Sequence, residues 1–259
     1  MASEAGPRAR VEAVLLPALV AIAGLTVWSL AVKWSGTTVF PSPRAVLDGF
    51  LELKQRGVAF AYARDSLFRV LTGFLFAAAL GVPLGLFLGR SRTALELANP
   101  LIQLLRPVSP LAWIPLSIVL LGIGDRAAEL LIFLGAFFPI LLSAASAAQA
   151  VPEVYLRAGE NFGLSRAEMF RRVVLPAALP QILLGLRVAL GIGWLVVVAA
   201  EMIAIDSGLG YLIIDARNAG KRYDLVVAGI LLIGAIGLAL DVAMRQLERL
   251  RPVRWGFRR

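Results

Sequence analysis

Long apolar segments alternate with short polar ones along most of this chain. A helix needs roughly 20 apolar residues to cross the hydrocarbon core of a bilayer. Segments of about this length lie at residues 13–32, 66–89, 100–122, 127–149, 178–203 and 225–244. The pattern therefore predicts an all-α integral membrane protein with six transmembrane helices.

The hydrophobic pattern also divides the chain into three parts. Residues 1–65 hold an N-terminal anchor span and an outer segment, residues 66–244 hold five spans, and residues 245–259 form a basic tail. The first apolar segment follows Arg8 and Arg10 and lacks a small-residue cleavage site. It is therefore predicted to be a membrane anchor and not a removed signal peptide.

Capping residues predict a short helix between the first two spans. Ser42 is suited to the N-cap, Pro43 to the first helical turn and Gly57 to the stop. The apolar residues between them fall mostly on one face. The segment is either an amphipathic helix at the outer interface or a plain connector.

Composition excludes several kinds of chemistry. The chain has no cysteine and no histidine, which excludes disulfides, thiolate nucleophiles, histidine acid–base catalysis and His/Cys metal sites. The phosphate-binding pattern GxxxxGK[ST] does not occur. No catalytic residue, metal or cofactor is predicted, and an intramembrane enzyme is disfavoured because no carboxylates or nucleophiles cluster at depth.

The net charge of +9 is explained without a nucleic-acid partner. Basic residues concentrate in the cytoplasmic loops of membrane proteins. They predominate in the segments that are cytoplasmic if the N-terminus is inside. We therefore predict that both termini are cytoplasmic.

Small residues recur every four positions along the second span, at Gly73, Ala77, Gly81, Gly85 and Gly89. Small side chains allow helix backbones to approach closely in lipid. The row predicts tight helix packing and implies no chemistry.

The third span is interrupted by prolines at Pro100, Pro107, Pro110 and Pro115. Proline in a helix interior removes a hydrogen bond and bends the helix. Irregular backbone at membrane depth occurs where it is buried in protein or lines a water-filled cavity. Arg106 and Ser109 are predicted at this break, which either lines a translocation path or serves kinked packing.

Arg187, Trp194 and Glu201 recur every seven residues along the fifth span and share one face. Arg187 and Glu201 are about 21 Å apart along the axis and cannot pair with each other. Arg187 either snorkels to the interface or holds the base of the preceding loop. Glu201 is either tied to backbone or to an arginine of a second copy or outer loop, or has a gating or substrate-adjacent role.

A polar, arginine-rich segment at residues 151–176 separates the fourth and fifth spans. Ser165 and Glu168 match a capping box, and Gly163 is suited to a left-handed turn after a helix at 153–162. Pro176 is predicted near the end of the second helix, just before the next span. We call residues 151–176 the hairpin.

Apolar residues of the hairpin are predicted to form a small exposed surface framed by arginines. Val154, Ala158 and Phe162 lie along one side of its first helix, with Leu164, Phe170 and Val174 nearby. A solvated loop needs neither two capped helices nor exposed aromatic rings. The pattern favours docking of a partner, and the alternative is an interfacial helix pair resting on anionic lipid.

The hairpin resembles the EAA loop of importer-type ATP-binding-cassette permeases, whose pattern is E-A-A-x3-G-x9-I-x-L-P. The pattern's positions are occupied here by Arg157, Ala158, Gly159, Gly163, Val173, Leu175 and Pro176. Arg157 replaces the glutamate, Gly159 the second alanine and Val173 the isoleucine. Other segments resemble the nitrate/sulfonate/taurine branch of these permeases, among them SLFRVLTGF at 66–74 and RPVSPLAWIPL at 106–116. The resemblance covers essentially the whole chain.

The resemblance implies a type I importer permease fold and a bacterial inner-membrane location. It implies a second permease copy forming a homodimer, two ATPase subunits, and an extracytoplasmic solute-binding protein. Coupling to the ATPase would involve Arg157, Ala158, Gly159, Phe162, Gly163, Leu164, Ser165, Phe170, Leu175 and Pro176. The translocation path would involve Arg106, Ser109, Trp113, Trp194 and Glu201.

The expected function is therefore import of a small anion, namely an aliphatic sulfonate, taurine or nitrate, driven by ATP hydrolysis on a partner chain. The permease itself would not be an enzyme. The alternative is a secondary transporter driven by an ion gradient through Glu201, which would work without any ATPase.

Overall fold

The computed structural model describes residues 7–36, 39–218 and 220–248, and the regular elements in these ranges are all helical. The helices are α1 (Pro7–Ser35), α2 (Pro43–Gln55), α3 (Val58–Arg90), α4 (Arg92–Leu105), α5 (Ile114–Leu121), α6 (Asp125–Gln149), α7 (Glu153–Asn161), α8 (Arg166–Met169), α9 (Leu175–Ala204), α10 (Leu209–Asn218) and α11 (Tyr223–Glu248). A 3-10 turn at Pro110–Trp113 precedes α5, and a π-helical turn at Phe170–Val174 joins α8 to α9. The predicted all-α class is confirmed.

The described helices account for four or five membrane spans. Helices α3, α6 and α11, and the continuous helical stretch Arg166–Ala204, are long and apolar enough to cross a bilayer. The bent pair α4 and α5 makes a fifth span if it is counted as one. The described apolar part of α1, Leu19–Ser35, is shorter than the usual span. The predicted total of six spans therefore stays a prediction.

The third predicted span is a pair of short helices and not one kinked helix. The axes of Arg92–Leu105 and Pro110–Leu121 differ by 78°. Arg106 caps the C-terminus of α4, and Ser109 precedes the 3-10 turn that Pro110 begins. The break lies where the prolines predicted it, because Pro107 and Pro110 cannot donate the backbone hydrogen bonds that would continue α4.

Helices α3, α6 and α9 pack closely through small residues. A cluster of buried side chains contains Leu86 of α3, Ala144, Ala147 and Ala148 of α6, and Ala178 and Ile182 of α9. A Cβ atom on Gly85 or Gly89 of α3 would overlap backbone oxygens of α6, and one on Gly185 of α9 would overlap Ser143. The predicted packing role of the small-residue row on α3 is confirmed.

The described residues separate into two compact units, one formed by those up to 58 together with those within 213–231, and the other by those within 59–212 together with those from 232 to 248. The first unit contains α2, whose N-cap Ser42 accepts a hydrogen bond from the Ala45 amide and whose first residue is Pro43. The predicted helix between the first spans is confirmed.

Charged groups anchor α2 within the first unit. Arg222 donates to Glu52 of α2 at 2.6 Å and to Asp224 at 2.7 Å. Gly49 lies against the backbone of Asp224. The hydrogen bonds from Arg222 hold the pKa of the Glu52 carboxyl below its usual range. Leu47 and Leu51 on the same helix remain exposed.

Candidate functional site

The hairpin folds as the local sequence predicts. Helix α7 ends in a Schellman motif, in which the Leu164 amide donates to the Gly159 carbonyl and the Gly163 amide to the Glu160 carbonyl. Gly163 has φ +70°, a conformation that favours glycine. The Ser165 hydroxyl then accepts from the Glu168 amide, and the Glu168 carboxylate accepts from the Ser165 amide at 3.1 Å. This is the predicted capping box.

The second half of the hairpin differs from the prediction, because Pro176 does not separate it from the next span. Helix α8, the π-helical turn and α9 run on as one helical stretch from Arg166 to Ala204. Pro176 is the second residue of α9 and follows the π-helical turn directly. The π-helical turn widens the backbone just before it, so the proline ring meets no carbonyl of a regular preceding turn.

The hairpin carries an exposed apolar surface. Phe162 is 85% exposed and Val154 is 73% exposed. Ala158 is exposed on the same helix. Arg157 pairs with Glu153 at 2.7 Å one turn away, and both side chains are exposed. The glutamate of the EAA pattern is thus replaced here by an arginine that is neutralised within α7.

The interior of the hairpin is built around Gly159. This residue is buried, and an added Cβ would meet the Met169 side chain at 2.7 Å and Leu164 at 3.3 Å. The two apolar side chains that flank the capping box therefore close over the glycine. Beside them lies a groove of about 460 Å³ that is lined by Arg90, Glu160, Leu164, Arg166, Met169, Phe170 and Val174.

A buried ionic cluster lies at the far end of α9 from the hairpin. The Glu201 side chain is fully buried, and Arg69 of α3 donates to its Oε1 at 2.8 Å. Its Oε2 accepts from the Ser66 hydroxyl and from the Gly210 amide, both at 2.9 Å. A carboxylate is stabilised by the free amides at a helix N-terminus, which here belongs to α10. We call this set of residues the clasp.

Arg69 connects the clasp to two further elements. It donates to Asp125 at the start of α6 at 2.7 Å, and to the carbonyl and hydroxyl oxygens of Ser207. Gly208, with φ +102°, brings this turn against Glu201, where a Cβ would overlap the carboxylate. The clasp therefore joins α3, α6, α9 and the start of α10.

The partner of Glu201 corrects one interpretation. The predicted tie to backbone is present through the Gly210 amide. The arginine belongs to the same chain and to a neighbouring span, and not to a second copy or an outer loop. Arg69 and Glu201 lie at the ends of their predicted spans that face the same side of the membrane. Two opposite charges at equal depth are the sequence signal that could have identified this pair.

Arg187 is also paired across helices. It makes salt bridges with Asp241 at 2.5 Å and with Glu248 at 3.4 Å, both on α11. Asp241 bonds Arg245 as well. Arg187 therefore links α9 to α11, a role that the sequence pattern did not predict.

The remaining predicted path residues fall into two environments. Arg106 and Ser109 are exposed at the break between α4 and α5, and Trp113 beside them is half-buried. Trp194 is buried, and its indole N–H donates to the Ile233 carbonyl at 3.2 Å. Trp194 borders only a small cavity of about 60 Å³ and Glu201 is fully buried, whereas Arg106 and Ser109 are exposed.

These features define a multi-span helical membrane protein with a structured polar hairpin between two spans, a broken span with exposed polar side chains, and paired charges inside the helix bundle. This combination of features is typical of a membrane transport subunit. Residues 81–251 match the family described as "binding-protein-dependent transport system inner membrane component". The chain belongs to this family.

Curated relatives of the chain carry transport names. The taurine transport system permease protein TauC of Escherichia coli is 37% identical over 87% of this chain and 84% of its own. The nitrate import permease NrtB of Synechocystis is 33% identical over 92% and 89%. The bicarbonate transport permease CmpB of Synechococcus elongatus is 34% identical over 93% and 91%.

Solved structures match the fold. A crystal form of the methionine ABC transporter MetNI, in an inward-facing conformation, superposes with a TM-score of 0.59 and 21% identity. The match covers 76% of this chain and 99% of that one. This likeness shows the fold, and the family match and the curated relatives confirm the assignment as an importer-type permease, a transport subunit and not the ATPase. The alternative of an ion-gradient-driven transporter receives no support.

Proposed function

We propose that this chain is the permease subunit of an ATP-driven importer of small oxoanions, such as taurine, another aliphatic sulfonate or nitrate. The observation that carries the proposal is the exposed hairpin, held by a Schellman motif and a capping box and bearing an 85% exposed Phe162. The names of the relatives support the substrate class, and bicarbonate belongs to it as well.

The hairpin is the docking surface for an ATPase subunit. An aromatic side chain that enters a pocket on a partner supplies much of the binding energy of a small interface. Phe162 fits that role, with Val154 and Ala158 beside it. Gly163, Ser165 and Glu168 fix the angle between α7 and α8, and Leu175 and Pro176 pass the hairpin into α9.

The full importer contains two copies of this chain, two ATPase subunits and an extracytoplasmic solute-binding protein. Each copy has six spans with both termini in the cytoplasm, so that the hairpin faces the ATPases. ATP-driven approach of the ATPases moves the two hairpins and switches the shared cavity between outward- and inward-facing states.

Substrate passes the break between α4 and α5. Arg106, Ser109 and Trp113 offer donors and an aromatic face there. Trp194 and Glu201 contribute indirectly, since their buried hydrogen bonds hold the helices that border the path.

The proposal is tested by reconstituting the chain, the ATPase and the binding protein of its operon into vesicles and measuring ATP-dependent uptake of labelled taurine, nitrate and bicarbonate. Uptake that requires all the components is the expected result. Uptake by the chain alone, without an ATPase, would refute the assignment.

Docking at the hairpin is tested separately with Phe162→Asp, which places a charge on the docking surface. Loss of ATPase co-purification with normal membrane insertion is expected. Phe162→Leu is the matched control, because it keeps an apolar side chain of similar reach. Equal ATPase recovery from Phe162→Asp and Phe162→Leu would exclude this surface.

A further inference from the structure

Helix α4 has two opposed exposed faces. Leu97, Leu101 and Leu104 lie on one, with positions four and three apart. The polar face carries Asn99, Gln103 and Arg106, which have the same spacing. At 100° per residue the centres of the two faces are about 160° apart around the helix.

The apolar face determines where the polar face points. In a bilayer, exposed leucines face lipid, whereas amide and guanidinium groups are stable only where they face protein or a water-filled cavity. With Leu97, Leu101 and Leu104 toward lipid, the face bearing Gln103 and Arg106 is directed into the transport assembly.

The polar face lines a groove. Asn99, Gln103 and Arg106 border a cavity of about 460 Å³ together with Ile102, Pro107 and Leu142. Arg106 makes no salt bridge and no side-chain hydrogen bond with any other residue that the structure describes, and the same is true of the two amide side chains. No carboxylate lines the groove within the described ranges, so its donors remain available and its charge is positive.

We propose that Asn99, Gln103 and Arg106 form the oxoanion-binding groove of the translocation path and set its preference for anions. The inference rests on the proposed function and adds the residues that read the substrate. A guanidinium fork and amide N–H groups match the planar oxygens of nitrate and bicarbonate and two oxygens of a sulfonate. Ile102, Pro107 and Leu142 accommodate an apolar substituent such as the ethylene chain of taurine.

The test uses the assembled importer in vesicles made of phosphatidylcholine alone. Arg106→Gln, Gln103→Leu and Asn99→Leu are compared with Arg92→Gln, a control on the same helix whose exposed guanidinium pairs with Glu96 outside the groove. Arg106→Gln is expected to lower anion uptake by about tenfold or more, as for loss of one charge-assisted hydrogen bond. Each amide variant should lower uptake severalfold, and Arg92→Gln should match the wild type.

Several outcomes decide the matter. If the wild type imports anions and Arg106→Gln imports them equally well, the groove is wrong while the proposed function stands. If the wild type imports neither the anions nor taurine but imports a solute that has no anionic oxygen group, the proposed substrate class fails instead. Should Arg106→Gln fail to assemble with the ATPase, the two amide variants carry the test, and unchanged uptake by both overturns the groove.

A lipid phosphate has the same chemistry as a transported oxoanion. The measurements are therefore repeated with phosphatidylglycerol added to the vesicles. A defect of Arg106→Gln that appears only with phosphatidylglycerol would assign the groove to a lipid headgroup and overturn its role in transport.

Discussion

The clasp should account for a large share of the stability of the α3–α9 contact, and Arg69→Met tests this. Arg69 and Glu201 are both buried and 2.8 Å apart. Methionine keeps most of the volume of the arginine stem but removes the charge. Glu201 then retains only the Ser66 hydroxyl and the Gly210 amide as partners.

The expected magnitude follows from burial. The charges of a hydrogen-bonded guanidinium and carboxylate are centred about 4 Å apart, farther than the bonded N and O atoms. At that separation two unit charges attract by about 4 kcal/mol at an effective dielectric constant of about 20. Removing one partner of a buried pair costs about 3–5 kcal/mol, because the other charge is left uncompensated. We therefore expect Arg69→Met to lower the free energy of unfolding by about 3–4 kcal/mol.

A double-mutant cycle isolates the pair. In Glu201→Gln, Arg69 stays bound to Asp125, but the new amide N–H₂ group faces one of the N–H or O–H groups that donate to Glu201 in the wild type. This should lower the free energy of unfolding by about 1–3 kcal/mol. The double variant no longer buries a lone charge, so it should be about 2 kcal/mol more stable than the sum of the single effects. SDS titration of the purified protein measures all four. Additive effects, or an equal loss in the exposed control Arg64→Met, would refute the role of the clasp.

Three further perturbations have defined outcomes. Gly85→Val should destabilise the protein by about 1–3 kcal/mol, because its side chain meets the backbone of α6, whereas Gly24→Ala, with nothing within 4 Å, should not; SDS titration compares them. Gly163→Pro should abolish ATPase co-purification, because proline fixes φ near −65° where the hairpin needs +70°, and Gly163→Asn should retain it. The pKa of Glu52 is lower in the folded protein than in the unfolded chain, so the ionised carboxylate stabilises the fold at higher pH, and this stabilisation is lost as pH falls through the pKa of the folded state. Below about pH 4 the wild type should therefore lose thermal stability more steeply than Glu52→Gln. Asp48→Asn is the control.

Local rules predicted the parts of the site that depend on neighbouring residues. The capping box at Ser165, the left-handed Gly163 and the break near Arg106 follow from hydrogen bonds or prolines within a few residues. Such features are set by the chain immediately around them. The packing row on α3 was likewise predictable, because its spacing matches one helix face.

Features that depend on distant segments were not predicted. Arg69 and Glu201 are 132 residues apart, and nothing local to either residue identifies the other. Pro176 was expected to end a helix, but the π-helical turn at 170–174 removes the steric conflict that the rule assumes. The partners of Arg187 on α11 were missed for the same reason as the clasp.

The uninterrupted helix from Arg166 to Ala204 explains how docking at the hairpin could reach the substrate path. Its 39 residues span about 58 Å, and it carries the capping box at one end and Glu201 near the other. A flexible loop before α9 would absorb a displacement of the hairpin, whereas a continuous helix transmits it as tilt or translation. Under the proposed docking of an ATPase, force applied at the hairpin acts on the same continuous helix that carries Trp194. The clasp holds the far end of that helix, since Glu201 is bonded to α3 and α10, so a displacement at the hairpin has to tilt the helix against these bonds.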